Sequence, residues 1–107
     1  MVKNWAFIFC SPGYNRKSNT TIMDNGRTKV TFVGLDVSQR DQCIPIAKEL
    51  VKKGCQMIEL CGAFGPLYAA KIKKVTNHSI PVGIVMYGPE DRGPMLSITK
   101  GQTPKNL

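Results

Sequence analysis

Ile58-Glu59-Leu60-Cys61-Gly62-Ala63-Phe64-Gly65-Pro66 decides the fold of this chain. It begins as an apolar strand, breaks at a glycine-rich turn and re-enters regular structure at a proline, a residue favoured where helices start. Strand, turn and helix in that order are the unit of an α/β protein with a parallel sheet. Open sheets of this class take ligands outside the carboxyl ends of their strands. The same stretch therefore says where a site would lie: a thiol, a carboxylate and backbone N–H groups gather at one strand end.

Downstream, Tyr68, Ala69, Ile72 and Val75 line one helical face, Lys71, Lys73 and Lys74 point elsewhere, and Asn77 ends the helix. Pro81 to Tyr87 read as a strand, stopped by Gly88-Pro89. Upstream, Cys43, Ile44, Ala47, Leu50 and Val51 form a helical face, with Ser38 and Asp41 spaced as a capping box. Pro45 conflicts with a helix interior. A start near Asp41 leaves it close to the first turn. Lys52, Lys53 and Gly54 suit the helix end. Residues 28–35 are rich in β-branched side chains and read as a strand. Asp24-Asn25-Gly26-Arg27 is a turn that allows a hairpin with 20–23. Residues 4–10 are almost continuously apolar, as in a strand covered on both faces, so Trp5, Phe7 and Phe9 read as core.

The expected fold is a single small α/β domain, residues 1–107. It has a mainly parallel open sheet, a β-α-β-α-β core, an N-terminal strand and the hairpin. Residues 88–107 are expected to be a largely irregular tail, with a short element around Met95 to Ile98.

A chain of 107 residues holds one domain and buries enough surface for a core without staples. No apolar run reaches the ~18 residues of a membrane span. The turn Ser11-Pro12-Gly13-Tyr14 stands where a signal peptide would carry its cleavage site, so the chain reads as cytoplasmic, with no membrane partner. The net charge of +8 is spread: +4 over residues 1–35, +3 over 36–80 and +1 over 81–107. A nucleic-acid binder gathers its cations on one face, often among stacking aromatics, so this pattern argues against nucleic acid.

At the strand-end rim fall Asp36, Cys61, Gly62, Tyr87 and Glu90, and Cys10 as well if the first strand is parallel to the others. Cys61 precedes a turn whose N–H groups favour an anion or a thiolate. It is either a nucleophile or a small buried residue ending its strand. Glu59 shares a face with Met57 and Cys61 by alternation. It is either a general base or structural, as one half of an ion pair or at an edge. Gly62, Ala63 and Gly65, with Tyr87 and Glu90, are the candidate ligand-binding residues. Cys10, Cys43 and Cys61 are three thiols where a structural metal site wants four ligands, so no metal is expected. The glycines match neither phosphate-loop nor dinucleotide fingerprints, and no cofactor is expected. His78, the only histidine, lies a helix-length beyond Cys61, roughly 18 Å away, too far for a Cys–His dyad.

Trp5-Ala6-Phe7-Ile8-Phe9, Ala47-Lys48-Glu49-Leu50-Val51, Ile58 through Pro66, and Pro81 to Glu90 resemble an uncharacterised family of small bacterial α/β proteins. The I-E-L-C-G-x-F-G-P run is the most specific element of that resemblance. It implies the fold and carries no activity, cofactor or partner. Three function classes stay open. The first is binding of a small anionic ligand or a partner at the rim formed by the 61–66 and 87–92 loops. The second is a cysteine-dependent isomerase or transferase using Cys61 with Glu59. The third is a structural or regulatory homo-oligomer, such as a homodimer, without small-molecule chemistry.

Overall fold

The computed structural model describes residues 1–101. Five strands form one sheet: β1 (Asn4–Cys10), β2 (Thr20–Asp24), β3 (Lys29–Leu35), β4 (Ile58–Leu60) and β5 (Val82–Ile84). Three helices accompany them: α1 (Cys43–Lys52), α2 (Gly65–Val75) and α3 (Arg92–Thr99). The strand order is β2-β3-β1-β4-β5. β1, β3, β4 and β5 are parallel, and only β2 runs antiparallel, at the edge beside β3. The hairpin turns where Asn25-Gly26 predicted it. Gly26 adopts φ +85°, and the Asp24 and Asn25 side chains accept from the turn N–H groups of Gly26, Arg27 and Thr28.

Alternation along the strands sorts two faces. Ala6, Ile8, Thr31, Val33, Leu35, Ile58, Leu60 and Val82 all point one way and are buried. Against them pack Cys43, Ile46 and Ala47 from α1, and Phe64, Ala69 and Ile72 from the second crossover. The chain steps from β3 past β1 to β4 through α1, then on to β5 through α2. Both steps run in the same direction along the sheet, so right-handed crossovers put both helices on one face.

The link from β1 to β3 contains β2 and no helix, and α1 and α2 both pack on the first face, so neither covers the other one. Trp5, Phe7 and Phe9 lie there and are only partly buried, correcting the expectation of a first strand covered on both sides. The apolar run reflects one face packed on helices and one face of aromatic rings.

The approach to α1 also differs from expectation. A 3-10 helix over Val37–Gln42 precedes it. The cap is Asp36, whose carboxylate accepts from the Ser38 N–H at 3.0 Å, in place of a box between Ser38 and Asp41. Because α1 begins at Cys43, Pro45 is its third residue, where a missing N–H costs nothing. Gly54 closes the helix at φ +93°, as its position predicted. α2 starts one residue before Pro66. It ends in two consecutive left-handed residues, Asn77 and His78, both at φ +55°, with the His78 N–H returning to the Lys73 carbonyl at 2.8 Å.

The tail is more ordered than expected. A 3-10 helix over Pro89–Asp91 leads into α3, so the largely irregular reading of 88–107 is corrected over Pro89–Thr99. Residues 102–107 of that stretch lie outside the described residues. α3 buries none of its side chains. The radius of gyration, 15.1 Å with a longest extent of 44 Å, exceeds the ~13 Å usual for about 100 residues.

Candidate functional site at the reversal of strand order

From β1 the chain moves first to β3 on one side, then to β4 and β5 on the other. The reversal falls between β1 and β4. Such a switch point is where open α/β sheets form a crevice outside the strand ends. Because β1 is parallel to β4, Cys10 and Cys61 end neighbouring strands. The Cys10 N–H donates to Cys61 Sγ at 3.3 Å. The Cys61 N–H continues the ladder onto the Ile8 carbonyl at 3.1 Å.

The two loops differ in what they leave available. After β1, the Ser11, Gly13 and Tyr14 N–H groups bond to the Leu35 carbonyl, the Asp36 carboxylate and the Ser11 carbonyl. After β4, Phe64 donates to the Cys61 carbonyl at 3.1 Å and buries its ring in the core, edge-on to Tyr68. The N–H groups of Gly62, Ala63 and Gly65 have no acceptor among the described residues. Gly65 stands at φ +72°, a conformation glycine takes without a Cβ penalty. Tyr87 lies over Gly62, where an added Cβ would come within 3.0 Å of its ring.

Arg40 reaches the same turn and was not singled out in the sequence. Its guanidinium donates to the Ala63 carbonyl at 3.0 Å and lies 5.4 Å from the centre of the Tyr68 ring. The Tyr68 hydroxyl in turn donates to Asp41 at 2.9 Å, which, ahead of burial, raises its pKa. Lys71 stands 5.1 Å from the same ring. The signal for Arg40 was present: it follows the end of β3, as the Gly62 turn follows β4. The strand-end position that singles out Asp36 extends to Arg40, four residues on.

The other acidic rim group is already occupied. Asp36 accepts from the Gly13 N–H at 2.8 Å and from the N–H and hydroxyl of Ser38. The Ser38 hydroxyl first, then the two N–H groups, hold its pKa down at about 2. Burial first, and the neighbouring Cys61 second, push the Cys10 thiol up to about 11. Cys43, wholly buried under the rim, is pushed to about 12, chiefly by burial. Both are therefore thiols at neutral pH.

The remaining candidates scatter. Glu59 points to the helix-free face beside Gly83. The Cys61 thiol turns to Cys10 and the core instead, so the structure does not bring these two side chains together. Strict alternation placed them on one face, but β4 ends at Leu60 and Cys61 escapes the pleat. The Glu90 carboxylate folds back over Gly88. His78 follows α2, whose eleven residues put it roughly 16 Å along the axis from the turn. Among the described residues no three His, Cys, Asp or Glu side chains are grouped to hold a metal. No helix there is long and apolar enough to cross a membrane.

Residues 3–100 match the family of unknown function DUF6506, and the chain belongs to that family. No curated protein matches it, and neither does any solved structure.

Proposed function

We propose that the chain binds a small anionic ligand, a carboxylate or a phosphate ester, in the crevice between the ends of β1 and β4. The observation that carries this reading is the union of three unacceptored N–H groups, at Gly62, Ala63 and Gly65, with the Arg40 guanidinium on the same turn. Free N–H groups at the start of a helix favour negative charge. A guanidinium bonded once still has donors for a carboxylate or phosphate. The Tyr87 ring packs on the bare Cα of Gly62 and supplies an apolar wall beside the turn.

The test is a melting-temperature screen against inorganic phosphate, nucleotides and small carboxylates, repeated on Arg40→Gln. A ligand at one hundred times its dissociation constant stabilises the fold by about 2.7 kcal/mol. The expected result is a concentration-dependent rise in the wild type that Arg40→Gln loses in large part. No rise with any of these anions, or an equal rise in the variant, would remove the reading.

A further inference from the structure

A second recess lies on the helix-covered face. Two helices packed roughly 10 Å apart span the width of about four strands. The fifth strand, β2, is left over, and all its residues are exposed. Between that edge and α1 the chain forms a cavity of about 130 Å³. β3 makes its floor, with Lys29, Thr31 and Val33 on this side by alternation and Ile22 of β2 opposite Thr31. Ile46 and Leu50 of α1 form the facing wall.

The polar groups divide into paired and unpaired. The Arg16 guanidinium bonds the Glu49 carboxylate, which, as the first cause, holds the Glu49 pKa down. That pair is satisfied within itself. Lys29 and Lys53 also line the cavity and have no carboxylate partner among the described residues. Thr31 is only 6% exposed, and its hydroxyl has no hydrogen-bond partner among those residues. No side-chain oxygen there is both sealed off and unpaired. The Thr31 oxygen therefore meets the cavity that its residue lines. Buried hydroxyls in folded proteins find partners, and this one has a proton to donate.

We propose that the cavity binds a monocarboxylate with a short apolar chain. Its carboxylate accepts from the Thr31 hydroxyl and the Lys29 ammonium. These residues are two apart on one face, roughly 6.6 Å along the strand, a gap that the four-carbon lysine stem spans. Lys53, just beyond the end of α1, adds a second positive charge. The chain of the acid lies against Ile22, Val33, Ile46 and Leu50. Each part of the site excludes a simpler occupant. Inorganic phosphate leaves the apolar walls bare, and a hydrocarbon leaves the Thr31 hydroxyl without an acceptor. Volume limits the length: an apolar cavity of about 150 Å³ takes benzene, so this one holds about six heavy atoms. Its lysines stand where β3 begins and α1 ends, at the opposite end of the strands from the rim, so the site is separate from the Gly62 turn.

Amide NMR titration of the full chain with acetate, butanoate, hexanoate and octanoate reads place and affinity together. The expected shifts saturate and concentrate in β2, β3 and α1. Affinity rises about fourfold for each methylene buried as far as hexanoate and levels off at octanoate. Thr31→Val keeps the shape, suits a strand and removes the donor, so it weakens hexanoate about tenfold or more. Lys29→Gln also weakens it, and by more at low salt than at high salt. The same spectra verify that both variants fold.

No saturable shift with any of the four acids overturns the proposal, as does an affinity indifferent to chain length. So does hexanoate binding as tight as wild type in Thr31→Val or in Lys29→Gln. Hexanoate shifts centred on Gly62, Ala63 and Gly65 and lost in Arg40→Gln would put the acid at the rim and overturn it too. The rim itself is tested with inorganic phosphate, whose failure to bind leaves this site standing.

Discussion

Asp36 shows how one side chain sets a loop and a helix entry together. Its two carboxylate oxygens divide their work: Oδ1 takes the Gly13 N–H, and Oδ2 takes the N–H and hydroxyl of Ser38. An amide has only one acceptor oxygen, so Asp36→Asn keeps one of these two tasks and Asp36→Ala keeps neither. The melting temperature is expected to fall in that order at neutral pH. The pH dependence has a definite sign. The folded pKa, about 2, lies below the ordinary 3.8, so the carboxylate's contribution is present above 3.8 and is lost as pH falls through about 2. The gap between wild type and Asp36→Asn therefore narrows on acidification from pH 5 downward. A gap that stays constant over that range would mean the carboxylate charge contributes nothing to the loop. Cys61 gives the residue-scale lesson in the other direction. Counting by twos put it on the face of Glu59, but the count holds only while the strand lasts, and the strand stops one residue earlier.

At the scale of elements, local chemistry decided most of the boundaries. Gly26, Gly54 and Gly65 take positive φ where the chain turns or changes element. The apolar spacing of 43–51 and 68–75 marks the faces that α1 and α2 bury. Pro45 is the informative exception. As the third residue of α1 it removes an N–H that has no helical acceptor. Pro45→Ala is therefore expected to change stability by less than about 1 kcal/mol. Ala47→Pro, two residues on in the same helix, is expected to cost about 3 kcal/mol or more, because it deletes an internal helical bond and clashes with the preceding turn. Denaturant unfolding of the two variants measures both values, and equal costs would show that α1 begins elsewhere. The 3-10 segment Val37–Gln42 was hidden because its sequence also fits an ordinary helix start, and the choice fell to the Asp36 cap. α3 was only partly legible: its apolar residues at 95, 96 and 98 suggested an element, but the two prolines and the glycine at 89–94 masked its start.

On the scale of the whole molecule, stability should be graded by layer. β1 is central, hydrogen-bonded on both sides, and carries Ala6 and Ile8 at 0% exposure. α3 buries no side chain. Amide hydrogen exchange is thus expected to be slowest in β1 and its neighbours β3 and β4, and fastest among the helices in α3. Protection of α3 equal to that of α1 would mean that α3 has a packing partner outside its own protomer. The amino-acid sequence by itself determined the element types, the single α/β domain, the parallel character of the sheet, the hairpin, and the turn at 61–66 as the end of a strand. Each follows from periodicity, turn residues and the short reach of the connections, all of which act over a few residues. Only the tertiary structure decided that β1 lies between β3 and β4, which makes the rim a switch point, and that a strand stands where a second covering helix would be, which leaves the aromatic face bare. It also brought Arg40 to the Gly62 turn and parted Glu59 from Cys61. Strand order and facing depend on contacts between segments tens of residues apart. An apolar run reads the same whether helices, another sheet or nothing covers its second face.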